Sequence, residues 1–374
     1  MKIMHMADFH LDSAFSGFGK ESADARRAEL RECFVRAMEI AKREGVKLVL
    51  IAGDLFDTPF CTATTRKAVF DAIASVGCPV VIAPGNHDYY NKNGTYADKA
   101  LPENAFVFTS SELGRFDFDE LSLSVIGYAF TSDRYEENPL AEGVPLSSEN
   151  VNILCAHSEL GVPLSKYAPM STGAIASSRF TYAALGHVHN PPSPQRVGNT
   201  LIAYSGFPQG RSFDELGTGG AYIVDIDLSS KSASAERVIL SQMTYEIEKI
   251  DITALASDED VVRVIEKVVN EREYGNKTAL RARLVGAISS DCHLNLERIA
   301  SDSAFSSLAL LQIRDESVAN LDLDYLERDM TIKGEVYRKL LPLLESSDEN
   351  ERKRAALALK FALASLDKRE LSVD

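Results

Sequence analysis

From Ile3 to about residue 90, short runs of Val, Ile and Leu alternate with longer stretches in which apolar and charged residues recur at helical spacing. The pattern predicts a strand opening at Ile3, a helix from about Glu21 to Glu44, a strand in "VKLVLIAGD", a helix from about Ala63 to Val76, and a strand in "CPVVIAPGNHD". That β-α-β-α-β order is one of helices laid over a sheet. The strands are nearly unbroken apolar runs, which suits burial on both faces. From about 104 to 240 the chain is richer in strands: "NAFVF", "LSLSVIGYAF", "NVNILCAH", "YAALGHVH", "TLIAYSG" and "GAYIVDIDL". Short turns rich in Gly, Pro and Asp separate them, and "NPPSPQRVGN" (190–199) reads as a surface loop.

Near residue 244 the character changes. Ser257 or Asp258 suits the cap of a helix with the body "EDVVRVIEKVVNERE". "KTALRARLVGAIS" alternates like a strand, and most of the remainder is charged helix, ending in about 349–369. Two domains are expected: 1–244, and a smaller α+β domain over 245–374.

Composition narrows the class. The 374 residues are 45% hydrophobic and 25% charged, as in a globular protein. The formal charge of −15 does not suggest a nucleic-acid binder, because phosphate contacts need clustered Lys and Arg. No apolar run approaches the roughly 18 residues of a membrane helix. "MKIMHMADFH" lacks the apolar core of a signal peptide. The five cysteines are odd in number and have no C-x-x-C spacing, so reduced thiols and a cytoplasmic location are expected.

The chemistry lies where apolar runs stop. Five of them end in polar lips: Asp8 and His10; Asp54 and Asp57; Asn86, His87 and Asp88; His157; and His187 and His189. Five of the seven histidines sit there; His5 and His293 lie elsewhere and read as structural and surface residues. Ligands gather at the carboxyl ends of strands in open α/β sheets. An oxygen and nitrogen donor set without thiolates suits Mn, Fe or Zn. There are too many donors for one ion, so two divalent metals sharing a carboxylate are expected, clamping a phosphate and activating a water. In "DFH" and "HVH" the donors are two apart, which on extended backbone turns them the same way. His87 follows Asn86 directly and is better placed over a substrate than on a metal, and Asp88 is a candidate to hold its ring. Asp88 could equally cap a turn. Arg211 could touch a substrate phosphate or pair with Asp214 or Glu215. "GFGKES" (17–22) is not a phosphate-binding P-loop.

In this order, "DFH", "GDLFD", "GNHD", a lone His and "GHVH" resemble the calcineurin-like metallophosphoesterases. "GDLFD" and "YSGFPQGRSFDELGTGG", with the opening "HMADFHLDSAF", are similar to the SbcD/YhaO type of DNA-repair nuclease. The resemblance implies a four-layer α/β sandwich, two mixed sheets flanked by helices, with an α+β capping domain. It implies one metal held by Asp8, His10, Asp54 and His189, another by Asp54, Asn86, His157 and His187, and a catalytic His87. It further implies manganese, a homodimer, an SMC-like (SbcC-type) ATPase partner, and hydrolysis of DNA that leaves a 5′-phosphate. Many members carry His where this chain has Asp57, which leaves Asp57 as an outer-shell candidate. A phosphodiesterase or phosphatase acting on a small nucleotide-like substrate, and an inactive scaffold for an ATPase, are the competing readings.

Overall fold

The unbroken apolar runs have a simple cause, visible in β1 (Lys2–Met6): Ile3 packs into one core, while Met4 and Met6 pack into another on the opposite face. The structure, a computed structural model, describes residues 1–16, 19–141, 143–289, 292, 294–320 and 323–366. His293, part of "GFGKES" and the end of the tail helix lie outside the described residues.

After β1 come α1 (Lys20–Arg43), β2 (Val49–Ile51), α2 (Ala63–Val76), β3 (Val80–Ile82) and β4 (Ala105–Val107). The Thr62 hydroxyl accepts from Thr65 N to open α2, and Gly77, at φ 81°, closes it. Then follow β5 (Gly114–Phe118), β6 (Leu123–Gly127), β7 (Val151–His157), α3 (Thr172–Ser177), β8 (Tyr182–Gly186), β9 (Gln195–Val197), β10 (Thr200–Tyr204), β11 (Gly220–Asp227) and β12 (Ser232–Ile239). They form two mixed sheets. One has the order β12-β11-β1-β2-β3-β4, parallel from β1 to β4. The other has the order β5-β6-β7-β8-β10-β9, parallel from β6 through β10. The proline-rich stretch expected to be wholly loop contains β9, a short edge strand antiparallel to β10. Its prolines precede the paired residues, so no ladder donor is lost there.

Leu50, Val81 and Val224 of the first sheet meet Val125, Ile153 and Ala184 of the second in a shared core. Leu30, Phe34 and Ala37 of α1, with Val69 and Ile73 of α2, cover the first sheet's outer face. The second sheet's outer face lies under Tyr128, Phe130, Ile175 and Phe180. The result is the four-layer α/β sandwich, its fourth layer being loops and one short helix.

The chain divides into two compact units, Met1–Tyr245 and Glu246–Asp374. The second contains β13 (Thr244–Asp251, which begins in the first unit), α4 (Asp258–Glu271), β14 (Thr278–Val285), β15 (Ala287–Ser289), α5 (Leu296–Ala300), β16 (Leu310–Asp315), β17 (Val318–Asn320), α6 (Leu323–Arg328), α7 (Ile332–Leu344) and α8 (Glu349–Leu366). Ser257 is the cap of α4, accepting from Asp260 N. A three-stranded sheet, β13-β14-β16, shares a core of Ile250, Val261, Ile265, Leu280 and Ile299. No helix among the described residues is long and apolar enough to cross a membrane. Cys33, Cys61, Cys78 and Cys155 are thiols.

His5 is fully buried and ties the two sheets together. Burial pushes its pKa down to about 3, so the ring is neutral. Nε2 donates to Leu185 O at 3.1 Å, which leaves Nδ1 to accept from the Tyr182 hydroxyl at 2.7 Å. We predict that Tyr182→Phe lowers unfolding free energy by about 1–3 kcal/mol, the cost of an unpaired buried acceptor. Urea denaturation checks it; an unchanged midpoint would show that the ring needs no such partner.

Candidate metal centre

Five strand ends meet where the sheets face each other. β1 leads to Asp8 and His10, β2 to Asp54, and β3 to Asn86, His87 and Asp88. From the other sheet, β7 ends on His157 and β8 runs into His187 and His189. The backbone turns hard at these points: φ is 56° at Asp8, 45° at His10, 49° at Asp54 and 108° at His187. Such conformations cost a non-glycine residue on the order of 1–3 kcal/mol each and persist only where the surroundings hold them. Here Asp8 N donates to Gly53 O, and His10 N to Asp54 O. His87 N donates to Asp54 Oδ1 at 3.0 Å, and His187 N to the Asp8 carboxylate at 3.1 Å. Two glycines permit the approach. A Cβ on Gly85 would stand 2.2 Å from Asp54 Oδ1, and one on Gly186 would stand 2.0 Å from Ala52 O.

The hydrogen-bond partners assign the ring tautomers. His10 Nδ1 lies 3.3 Å from Asp57 Oδ1, and His189 Nδ1 lies 2.8 Å from Glu215 Oε1. A carboxylate only accepts, so both rings carry their proton on Nδ1. In the neutral rings their Nε2 atoms carry the lone pairs, and they face each other across 3.2 Å. Asp54 Oδ2 lies 3.6 Å from His10 Nε2. His157 repeats the arrangement. Its Nδ1 donates to Ala52 O at 3.0 Å, and its Nε2 faces Asn86 Oδ1 at 3.0 Å and Asp54 Oδ2 at 3.4 Å. Electron pairs aimed at one another repel; a cation between them reverses the sign. Two such donor sets share Asp54 Oδ2, so the residues present fit a pair of divalent metals. Donor atoms of Asp8, His10 and His189 lie within 4.8 Å of one another, as do those of Asp8, Asp54 and His157, and of His10, Asp54 and His87.

Electrostatics divide the rings into two pairs. Burial pushes His10 down to about 4 and His187 to about 3, so both rings are neutral, as ligation requires. Burial raises Asp8 to about 6. Burial also works against a charged Asp54, but His157, then His10 and His87, hold its carboxyl well below the usual range. At His157 burial opposes charge, yet Asp54 and then Asp8 raise the ring to about 9. Burial opposes charge at His189 as well, yet the Glu215 hydrogen bond and then Asp8 raise its pKa; at both rings a proton and a metal ion compete for Nε2.

The cluster draws in nearly every residue the sequence singled out. The His187 ring lies beside His157, centroids 5.1 Å apart, but outside the three clusters of donor atoms above. His87 is half-exposed, with its ring edge-on to His10 at 4.6 Å. Its Nδ1 is 3.4 Å from Asp57 O and 3.9 Å from Asp57 Oδ1. Of the two readings open for Asp88, its contacts match the one that binds backbone at a turn and not the one that holds the His87 ring. Asp88 is fully buried, and it accepts from Gly85 N and Asp54 N on one oxygen and from Phe56 N and the Tyr96 hydroxyl on the other. It pins the β2 and β3 lips together, and Asp57 is the acid near the His87 ring. Arg211 pairs with Glu215, Nη2 to Oε1 at 2.5 Å, and its Nη1 is 3.7 Å from Asp57 Oδ1. Sequence reasoning missed Tyr96 altogether and saw Glu215 only as a partner for Arg211.

A sandwich of two mixed sheets with paired Asp, Asn and His donor sets at its strand ends defines a metallophosphoesterase. The chain belongs to the calcineurin-like phosphoesterase family, which it matches over residues 1–191, and its members hydrolyse phosphoester bonds with divalent metals. It is similar to the uncharacterized metallophosphoesterase YhaO of Bacillus subtilis: 27% identical over 298 residues, 76% of this chain and 72% of the relative. It is also similar to the SbcD component of the nuclease SbcCD from Staphylococcus epidermidis, 27% identical over 306 residues, 73% of this chain and 77% of the relative.

Asp88→Ala is predicted to orphan three backbone N–H groups and one hydroxyl. At about 1–3 kcal/mol for a buried unsatisfied group, we expect a loss of about 3 kcal/mol or more in stability, together with weaker metal binding. Chemical denaturation in chelator and calorimetric titration with Mn²⁺ check the two effects; a variant as stable as the parent would overturn the bracing role.

Proposed function

We propose that this protein is a two-metal DNA nuclease. Asp8, His10, Asp54 and His189 would hold one ion, and Asp54, Asn86, His157 and His187 the other, with manganese the expected metal. The observation that carries the reading is the convergence of imidazole Nε2 atoms from both sheets on one shared carboxylate oxygen, Asp54 Oδ2. DNA as substrate is supported by the similarity to a relative named as part of a nuclease. That relative is named as one subunit of a two-part nuclease, which supports a partner subunit, here an SMC-like ATPase; a role in DNA repair, a homodimer and a cytoplasmic location are proposed with it. The unit Glu246–Asp374 would serve in capping and partner docking; its Met330, Ile332 and Leu357 are exposed apolar side chains for a partner to cover.

Bound in these two sets, divalent ions supply positive charge for the phosphate oxygens and lower the pKa of an attacking water. The chain's own residues do the rest. His87 stands at the rim, where it protonates the leaving oxygen as the bond from water oxygen to phosphorus forms and the bond from phosphorus to leaving oxygen breaks. Asp57 holds the Nδ1 side of that ring. Arg211 adds a positive charge within the same wall, though Glu215 already neutralises much of it. The chain's net charge of −15 favours a second reading, hydrolysis of a small nucleotide-like diester that needs no basic groove.

With Mn²⁺ present, we expect cleavage of single- or double-stranded DNA and of bis-p-nitrophenyl phosphate. Both activities should fall by about 10²–10⁴-fold in His87→Ala, the usual worth of a general acid. Cleavage of the small diester with DNA untouched would favour the second reading. No cleavage of either would overturn the proposed centre.

A further inference from the structure

Glu215 and Arg211 belong to the stretch "FPQGRSFDELG", which the proposed chemistry leaves largely unused. This loop lies between β10 and β11 and is fastened at one point to the site and at two to Tyr245. Phe207 N donates to His189 O at 3.2 Å, Gly217 N to Tyr245 O at 2.9 Å, and the Tyr245 hydroxyl to Arg211 O at 3.0 Å. Gly206, at φ 71°, lets the chain pass where a Cβ would come within 2.8 Å of His189 O. The fastened loop delivers one buried carboxylate, Glu215, only 2% exposed. Its Oε1 accepts from His189 Nδ1 at 2.8 Å and from Arg211 Nη2 at 2.5 Å, while Oε2 accepts from Arg211 N at 2.8 Å.

We infer that Glu215 is a positioning residue: it keeps the His189 proton on Nδ1, so that Nε2 presents its lone pair to a metal. The inference rests on His189 being a ligand, as proposed above. Its physical content lies in the third partner. Arg211 Nη2 is 3.4 Å from His189 Nδ1. With the carboxylate between them, both nitrogens donate to it. Without it, the guanidinium is left as the donor facing Nδ1, and Arg211 has no capacity to accept. The ring proton then moves to Nε2, the atom that faces His10 Nε2 and Asp54 and that a metal needs bare. Arg211, helpful to an anionic substrate, is thus harmful to His189 unless Glu215 stands between them.

Calorimetric titration with Mn²⁺ tests this, with ¹⁵N NMR of histidine-labelled protein reading the tautomer. We expect Glu215→Ala to weaken one of the two ions by roughly 10–100-fold, the usual effect of losing an outer-shell partner, and to leave the other unchanged. Its His189 signal should change from Nδ1–H to Nε2–H. Glu215→Gln, which keeps an acceptor but not the charge, should lose less. Adding Arg211→Ala to Glu215→Ala should recover part of the affinity. Circular dichroism and thermal unfolding in chelator confirm the fold. A folded Glu215→Ala that binds both ions like the parent overturns the inference; if that variant does not fold, a folded Glu215→Leu, which also lacks the acceptor, of parental affinity and tautomer does so. A double variant no better than Glu215→Ala overturns the part given to Arg211. If His189→Ala still binds two ions with parental affinity, the ligand reading itself fails, and the role of Glu215 falls with it.

Discussion

At the centre of this protein, atoms that can each offer an electron pair crowd around one carboxylate. Asp54 Oδ2, two imidazole nitrogens on one side, and an imidazole and an amide oxygen on the other converge, each within 3.6 Å of a neighbour, and only protons or metal ions can stand between them. Such a knot is unfavourable unless positive charge enters it. Much of the unit Met1–Tyr245 serves to hold it closed. Short parallel strands bring their carboxyl ends to one edge. Glycines at 85 and 186 remove the Cβ atoms that would block the approach. Left-handed backbone at Asp8, His10, Asp54 and His187 aims the side chains inward, at a conformational cost that the surrounding hydrogen bonds offset.

Around the knot runs a ring of acceptors, each assigned to one imidazole. Asp57 faces His10, Ala52 O faces His157, and Glu215 faces His189. Each accepts from the nitrogen that points away from the centre and so turns the inner nitrogen toward the place a metal would take. The ring therefore sets the protonation pattern that a metal requires. Asp88 does a different job with the same chemical group. It holds no imidazole and instead pins three backbone N–H groups and a tyrosine.

How much of this the sequence revealed depends on how local each cause is. Helix α2 was legible almost to the residue, because Thr62, Gly77 and the helical spacing between them act within a few positions. The five polar lips were legible because an apolar run followed by Asp, Asn or His marks a strand end wherever it occurs. Asp88 stayed undecided between two readings because its partners, apart from nearby Gly85 and Tyr96, are backbone groups some thirty residues away, and backbone N–H groups carry no sequence signal. Glu215 was half legible: its spacing from Arg211 suggested an ion pair, but His189, its third partner, is brought in only by the fold. Strand β9 escaped because three edge residues after a proline cluster are too few to show a period.

The donors come from both sheets: Asp8, His10, Asp54 and Asn86 from one, His157, His187 and His189 from the other. No single layer owns the site. The apolar seam between the sheets is therefore also a gauge block, since its thickness sets the gap across which the two halves must meet. Val125, Ile153 and Ala184 never approach a reacting atom, yet their volumes fix a spacing that the chemistry reads in tenths of an ångström.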